Sequence, residues 1–181
     1  MIDPIAEWHT EHDYFRRLLE LLERQVDVFH AGEQPNYPLM LDIIYYLRHF
    51  TDQSHHPRED VAFTRLALRC PDMELQLARL IQEHRVIIHI GQGLEKSLER
   101  AVADVFVPRA DVEALAATYL VYYRSHIARE DHDVLPRAAS ALTPEDWELV
   151  RRAAPEIPDP LLGTAPAARF RELRRQIALE A

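Results

Sequence analysis

Glycine and cysteine are scarce in this chain of 181 residues, at 4 and 1. With hydrophobic residues at 48%, so little glycine excludes a linker-like or disordered chain and suits long helices. Cys70 alone cannot form an internal disulfide, so a reducing cytoplasm is the expected setting. No apolar run approaches membrane-spanning length, and Met1-Ile2-Asp3-Pro4 lacks the basic start of a signal peptide. Basic residues are outnumbered too. The 21 Lys and Arg face 30 Asp and Glu, a net charge of −9 that argues against nucleic acid, whose phosphates need a basic face. No segment alternates with the period of two that strands require.

What the chain does have is 10 histidines and a regular spacing of prolines. Pro4, Pro38, Pro71, Pro108 and Pro144 each open an amphipathic stretch, where the missing N–H of proline costs a helix nothing. Asp3 and Thr143 precede two of them as N-caps. The first four intervals leave room for helices of about 28 residues, roughly 40 Å long. Apolar residues recur every three or four positions: Trp8, Phe15 and Leu19 in the first stretch, Ile44, Leu47 and Leu66 in the second. Leu77, Ile81, Ile88, Leu98 and Val102 follow in the third, then Val112, Leu115, Tyr119 and Tyr122 in the fourth. The expected fold is all-α, an antiparallel up-down-up-down four-helix bundle over residues 1–140. Residues 141–181 form a C-terminal helical extension laid on it. This tail holds a short helix with Trp147, an extended stretch from Pro155 to Pro160, and a final helix from about Ala167.

The inward stripes carry residues that do not belong in oil. His-x-x-x-Glu occurs as His55…Glu59 and again as His126…Glu130, and spacing of four stacks each pair on one helix face. His12 and His84 occupy inward positions on the other two stretches. A buried carboxylate without a partner costs several kcal/mol, so two of them among four imidazoles point to cations. Nitrogen and carboxylate donors without thiolate suit iron, manganese or zinc. The metal ligands are thus read as His12, His55, Glu59, His84, His126 and Glu130.

Neighbouring residues are read more plainly. His56 would pair with Asp60 by the same spacing; choosing His55 and Glu59 leaves His56 on a flank. Pro57 removes the bond to the Gln53 carbonyl and bends or bulges its helix. Gly91 and Gly93 mark close helix contact. Trp8, Tyr119 and Tyr122 are core aromatics near the ligands. His9, His30, His49, His89 and His132 lie at the surface or behind the ligands.

The chain resembles the hemerythrin-like, or HHE cation-binding, family of di-iron four-helix-bundle proteins. Carrying the resemblance are Glu11-His12, Ser54-His55-His56-Pro57-Arg58-Glu59-Asp60, Glu83-His84 and Arg124-Ser125-His126-Ile127-Ala128-Arg129-Glu130-Asp131, with Thr143-Pro144-Glu145-Asp146-Trp147 after them. It implies two non-haem iron ions bridged by Glu59 and Glu130 and capped by the four histidines. Oxygen-carrying members place another histidine one turn after the third-helix ligand, and here that position is Ile88. They also use an aspartate five residues after the fourth-helix histidine; Asp131 stands there, but Glu130 repeats the first pair's spacing and is chosen. The family implies a protein that binds or senses O2 or a related diatomic such as NO. The alternatives are a di-iron enzyme of peroxidase, oxidase or NO-stress and iron–sulfur repair type, and a helical interaction module with a structural metal.

Overall fold

The computed structural model describes residues 4–154, 159–161 and 168–179, and these are helical with no strand among them. α1 runs Pro4–His30, α2 Tyr37–Tyr46 and α3 His56–Arg69, with a π-helical stretch, Leu47–His55, joining α2 to α3. After a 3-10 turn at Pro71–Met73 come α4, Glu74–Val102, and α5, Arg109–Arg129. A second π-helical stretch, Glu130–Val134, leads into α6, Leu135–Ala141, followed by α7, Pro144–Arg151, and α8, Arg171–Leu179. Among the described residues no helix is long and apolar enough to cross a membrane.

Local chemistry accounts for the boundaries. Each expected proline sits at a helix start; Asn36 accepts a bond from Leu39 N–H, and Thr143 forms a reciprocal capping box with Asp146. Asp3 lies outside the described residues. α1 stops at Gly32, whose φ of +79° is open to glycine at no steric cost. Glu33 N–H then reaches the Val28 carbonyl and Gly32 N–H the Phe29 carbonyl, a Schellman ending.

Both π-helical stretches adjoin a proline. Pro57 has no N–H for the Gln53 carbonyl, and just before it His56 N–H reaches back five residues to the Thr51 carbonyl. Just before Pro136, Leu135 N–H does the same to the Glu130 carbonyl. The bulge expected at Pro57 is therefore present, and a second one matches it.

Two apolar clusters make the core. One gathers Phe15, Leu19, Leu47, Ile87, Leu120 and Tyr123 with their neighbours, and the other Trp8, Phe63, Leu77, Leu80, Val134 and Leu135. The chain order places His12, His55, His84 and His126 between residues of the two clusters on every long segment, so a polar layer divides the interior. The C-terminal part covers this core. α7 packs on α3, where Arg65 and Arg69 donate to the buried Asp146, while Phe170, Leu173 and Ile177 join the first cluster. Most of the Pro155–Pro160 stretch lies outside the described residues.

Four sequence expectations change, the first in α4, where Ile87 at 1% exposed takes the core place and Ile88 is only half-buried. Tyr122 is 43% exposed and Tyr123, at 1%, takes the inward place. Residues 112, 115, 119 and 122 and residues 112, 116, 119 and 123 both obey helical spacing; packing selects the second set, with small Ala116 fully buried. Val102, near the end of α4, is 44% exposed and not core. His56 is 3% exposed, not on a flank. Glycine behaves as expected at one position: a Cβ on Gly91 would come within 3.1 Å of Arg48 Cδ and Tyr119 Cε2, whereas one on Gly93 would meet only ordinary contacts.

Candidate metal centre

All six residues selected from sequence are buried and converge in the polar layer. α1 brings His12, the end of the first π-helical stretch His55, α3 Glu59, α4 His84 and α5 His126; Glu130 opens the second π-helical stretch. Glu59 divides its oxygens: Oε1 is 3.0 Å from His55 Nε2 and 3.4 Å from His12 Nε2, while Oε2 is 3.4 Å from His84 Nε2. Glu130 does likewise, with Oε2 3.6 Å from His12 Nε2 and Oε1 2.8 Å from His126 Nε2 and 3.6 Å from His84 Nε2. Donor atoms of His12, His55 and Glu59 lie within 4.8 Å of one another, as do those of His56, Glu59, His84 and His126.

The outer nitrogens explain how the rings are aimed. His12 Nδ1 donates to Asp131 at 2.8 Å, His84 Nδ1 to Asp60 at 2.7 Å, His126 Nδ1 to Glu83 at 3.2 Å, and His55 Nδ1 to Glu11. Carboxylates only accept, so the proton of each neutral ring is on Nδ1 and Nε2 keeps its lone pair for the centre. These bonds close a circuit around the core. α1 orients the ligand of the first π-helical stretch, α3 that of α4, α4 that of α5, and the second π-helical stretch that of α1. Three of the carboxylates are themselves held by arginine: Arg58 on Glu11, Arg16 on Asp131 and Arg129 on Glu83. Asp60, 44% exposed, has no arginine among the described residues. From sequence, Glu11 and Glu83 stand out only through the resemblance, Asp60 only by its spacing from His56, and Asp131 only as a ligand passed over for Glu130. Their repetition, Glu-His twice and Glu-Asp twice, was the signal available for this outer layer.

Two observations test whether cations fit. His12 Nε2 and His55 Nε2 face each other at 3.0 Å, and with both outer nitrogens donating, two lone pairs would be opposed. Nitrogen donors at right angles around an ion, each about 2.1 Å from it, stand about 3.0 Å apart. Glu59 Oε1 and Oε2, His84 Nε2, His126 Nε2 and Glu130 Oε1 are buried and make no aligned hydrogen bond, although oxygens and nitrogens lie close. Such orphaned atoms are costly unless something charged uses them.

Charge balance agrees. Burial alone would raise the carboxyl of Glu59, but the imidazoles of His55, His12 and His84 hold it well below the usual carboxylate range. Burial and the Glu59 charge push Glu130 up, and His126 and His84 bring it down to about 2. Burial disfavours charge on the rings as well, yet the carboxylates raise His12, His55 and His126 and raise His84 strongly. The interior asks for positive charge, which protons or metal ions can supply.

If the outer carboxylates aim the rings, Asp131→Asn turns an amide toward His12 Nδ1 and favours the wrong tautomer. Metal affinity is then expected to fall about 10- to 100-fold in competition with a chelator. Unchanged affinity would reject the aiming role.

The hemerythrin HHE cation-binding domain model matches residues 3–138, a span containing all six residues of the centre. No curated protein and no solved structure gives a match. A polar layer of imidazole and carboxylate donors within a helical core, and a family match over well more than half the chain, lead to one assignment: the chain belongs to the hemerythrin HHE cation-binding family.

Proposed function

We propose that this centre holds two iron ions and binds or senses O2 or a related diatomic such as NO. The observation that carries the reading is the division of oxygens by both Glu59 and Glu130 between a His12/His55 side and a His84/His126 side. Carboxylates that face two nitrogen clusters at once suit a bridged pair of ions, and the nitrogen and oxygen donors without thiolate suit iron, with manganese or zinc as the competing occupants. Ferrous iron supplies the electrons with which such ligands are bound. The chain's own part is to aim the four rings, balance the charge and keep the space dry. Phe15 lies 5.0 Å from the His55 ring and Phe63 6.0 Å from the His84 ring, so apolar surface meets the donors on both sides.

The same reading takes the bundle as antiparallel and the division near residue 140 as real. Along α1 the chain passes from the Trp8 cluster through His12 to the Phe15 cluster, and around His55 it passes the other way. His84 repeats the first direction and His126 the second, which supports an up-down-up-down course. A small ligand is the expected partner.

Freshly purified protein is expected to carry about two irons per chain. After anaerobic reduction, O2 and NO should each give a distinct visible absorption, reversible for NO on removal of the gas, and azide should give one with the air-oxidised protein. Protein without bound metal would sink the reading. Oxidation by O2 without any ligand complex would favour the enzyme alternative instead.

A further inference from the structure

We propose that His56 is a seventh, displaceable metal donor, serving the His84/His126 side in place of the histidine that position 88 lacks. This rests on the two-ion reading above. A donor atom of His56 lies within 4.8 Å of donor atoms of Glu59, His84 and His126, all four residues being buried. Two adjacent residues of an α-helix are about 100° apart and cannot both face one point. Here the π-helical stretch ends at His55, and the inward band widens to take in Thr51, Ser54, His55, His56 and Glu59 together. Pro57 thus has a consequence for the centre, because the helix it disrupts presents both histidines to the interior.

His56, like the other four rings, has a carboxylate beside its Nδ1, but without their hydrogen bond. Its Nδ1 stands 3.1 Å from a carboxylate oxygen, that of Asp52 one turn earlier. Neither atom makes an aligned hydrogen bond, so the protein alone leaves this buried pair unsatisfied. No second histidine from α4 completes this side, since His89 is exposed. The position four residues after His12 is Arg16, and the position four after His84 is Ile88. The His84/His126 side therefore has two aimed rings and one further imidazole within reach.

The His56 ring is stacked on His84, 4.2 Å away with 17° between planes, whereas His84 and His126 are inclined at 69°. Two imidazoles that share an ion direct their in-plane lone pairs to one point, which a parallel stack does not allow. His56 must open from the stack to donate. That makes it the donor most easily displaced, and a small ligand entering on this side competes with it.

The test uses the full chain loaded with iron. His56→Ala is expected to retain metal at the His12/His55 side and to lower retention of the second ion at least 10-fold against a chelator, moving the stoichiometry from about two toward one. Added imidazole, or Ile88→His in the same chain, should restore the second ion. His56→Phe keeps a stacked ring without a donor and should behave as His56→Ala does. Cobalt-loaded wild-type protein should display five exchangeable imidazole N–H resonances shifted by the ions. Two firmly held ions in both variants, or four shifted resonances, would overturn the assignment of His56 while leaving the two-ion reading standing. Wild-type protein that binds no metal would overturn both.

Discussion

Glu59→Gln is expected to empty the centre, lowering metal content from about two ions per chain to less than one. The change preserves shape and removes one charge, so it isolates what the carboxylate does. Glu59 is the residue that stands in both donor groups, with one oxygen toward His12 and His55 and the other toward His84. An amide offers a single weak oxygen donor and turns its NH2 toward imidazole lone pairs that a cation would otherwise use. Both sides lose an anion at once. Truncating one partner of a buried, mutually dependent charge cluster costs about 3–5 kcal/mol, and metal-loaded protein should lose stability of that order. The metal-free protein should change much less above neutral pH, where its imidazoles can shed protons and the variant buries one carboxylate, Glu130, in place of two. Metal analysis paired with thermal unfolding, each with and without chelator, separates these effects. If Glu59 were merely an ion-paired core residue, the variant would hold as much metal as the parent chain, and chelator would shift the unfolding of both equally.

The parts of this centre that were legible in sequence depend on local spacing. A pair four residues apart shares a helix face whatever the rest of the chain does, so His55 with Glu59 and His126 with Glu130 were readable at once. Proline-marked starts were equally local, and helices begin at or beside all of them. The inward positions of His12 and His84 needed only the apolar stripes around them.

The misread residues depend on something else. His56 was assigned to a flank because a regular α-helix would put it there, and the five-residue hydrogen bonds before Pro57 break that regularity. Proline announces a disturbance without announcing which way the side chains turn. Tyr122 and Tyr123 differ by packing alone, since both fit the spacing and only tertiary contact chooses between them. Asp60, spaced to pair with His56 in the register not chosen, bonds His84 on another helix. Asp131 likewise serves His12, 119 residues away in sequence. No periodicity within one helix encodes such pairings, although the repeated Glu-His and Glu-Asp dipeptides hinted at a duplicated design.

The second large effect is a divergence with pH between loaded and metal-free protein. In the metal-free chain, burial opposes charge on all four rings, but carboxylates raise them: Glu59 and Glu130 act on His12, Glu59 and Glu11 on His55, Glu130 and Glu83 on His126, and Asp60 with Glu130 and Glu59 on His84, which rises most. A raised folded value means stability fully present below about pH 6.5, the ordinary imidazole value, and lost as pH climbs through the folded ones. For Glu59 and Glu130 the sign is opposite: burial raises, the imidazoles lower, and the stability present above about pH 4.5 is lost as pH falls toward 2. Metal-free protein is therefore expected to be most stable between about pH 4.5 and 6.5 and to weaken toward pH 9. Metal binding reverses the upper limb, because ions need the lone pairs that protons occupy, and each proton displaced strengthens binding about tenfold per pH unit. Unfolding temperatures measured from pH 5 to 9 with and without chelator should nearly coincide at the acid end and separate steadily above pH 7. Ions held a thousandfold above their dissociation constant add about 4 kcal/mol at the alkaline end. Parallel curves would mean that the same protons are bound with and without metal. That cannot hold if the four imidazoles trade protons for cations.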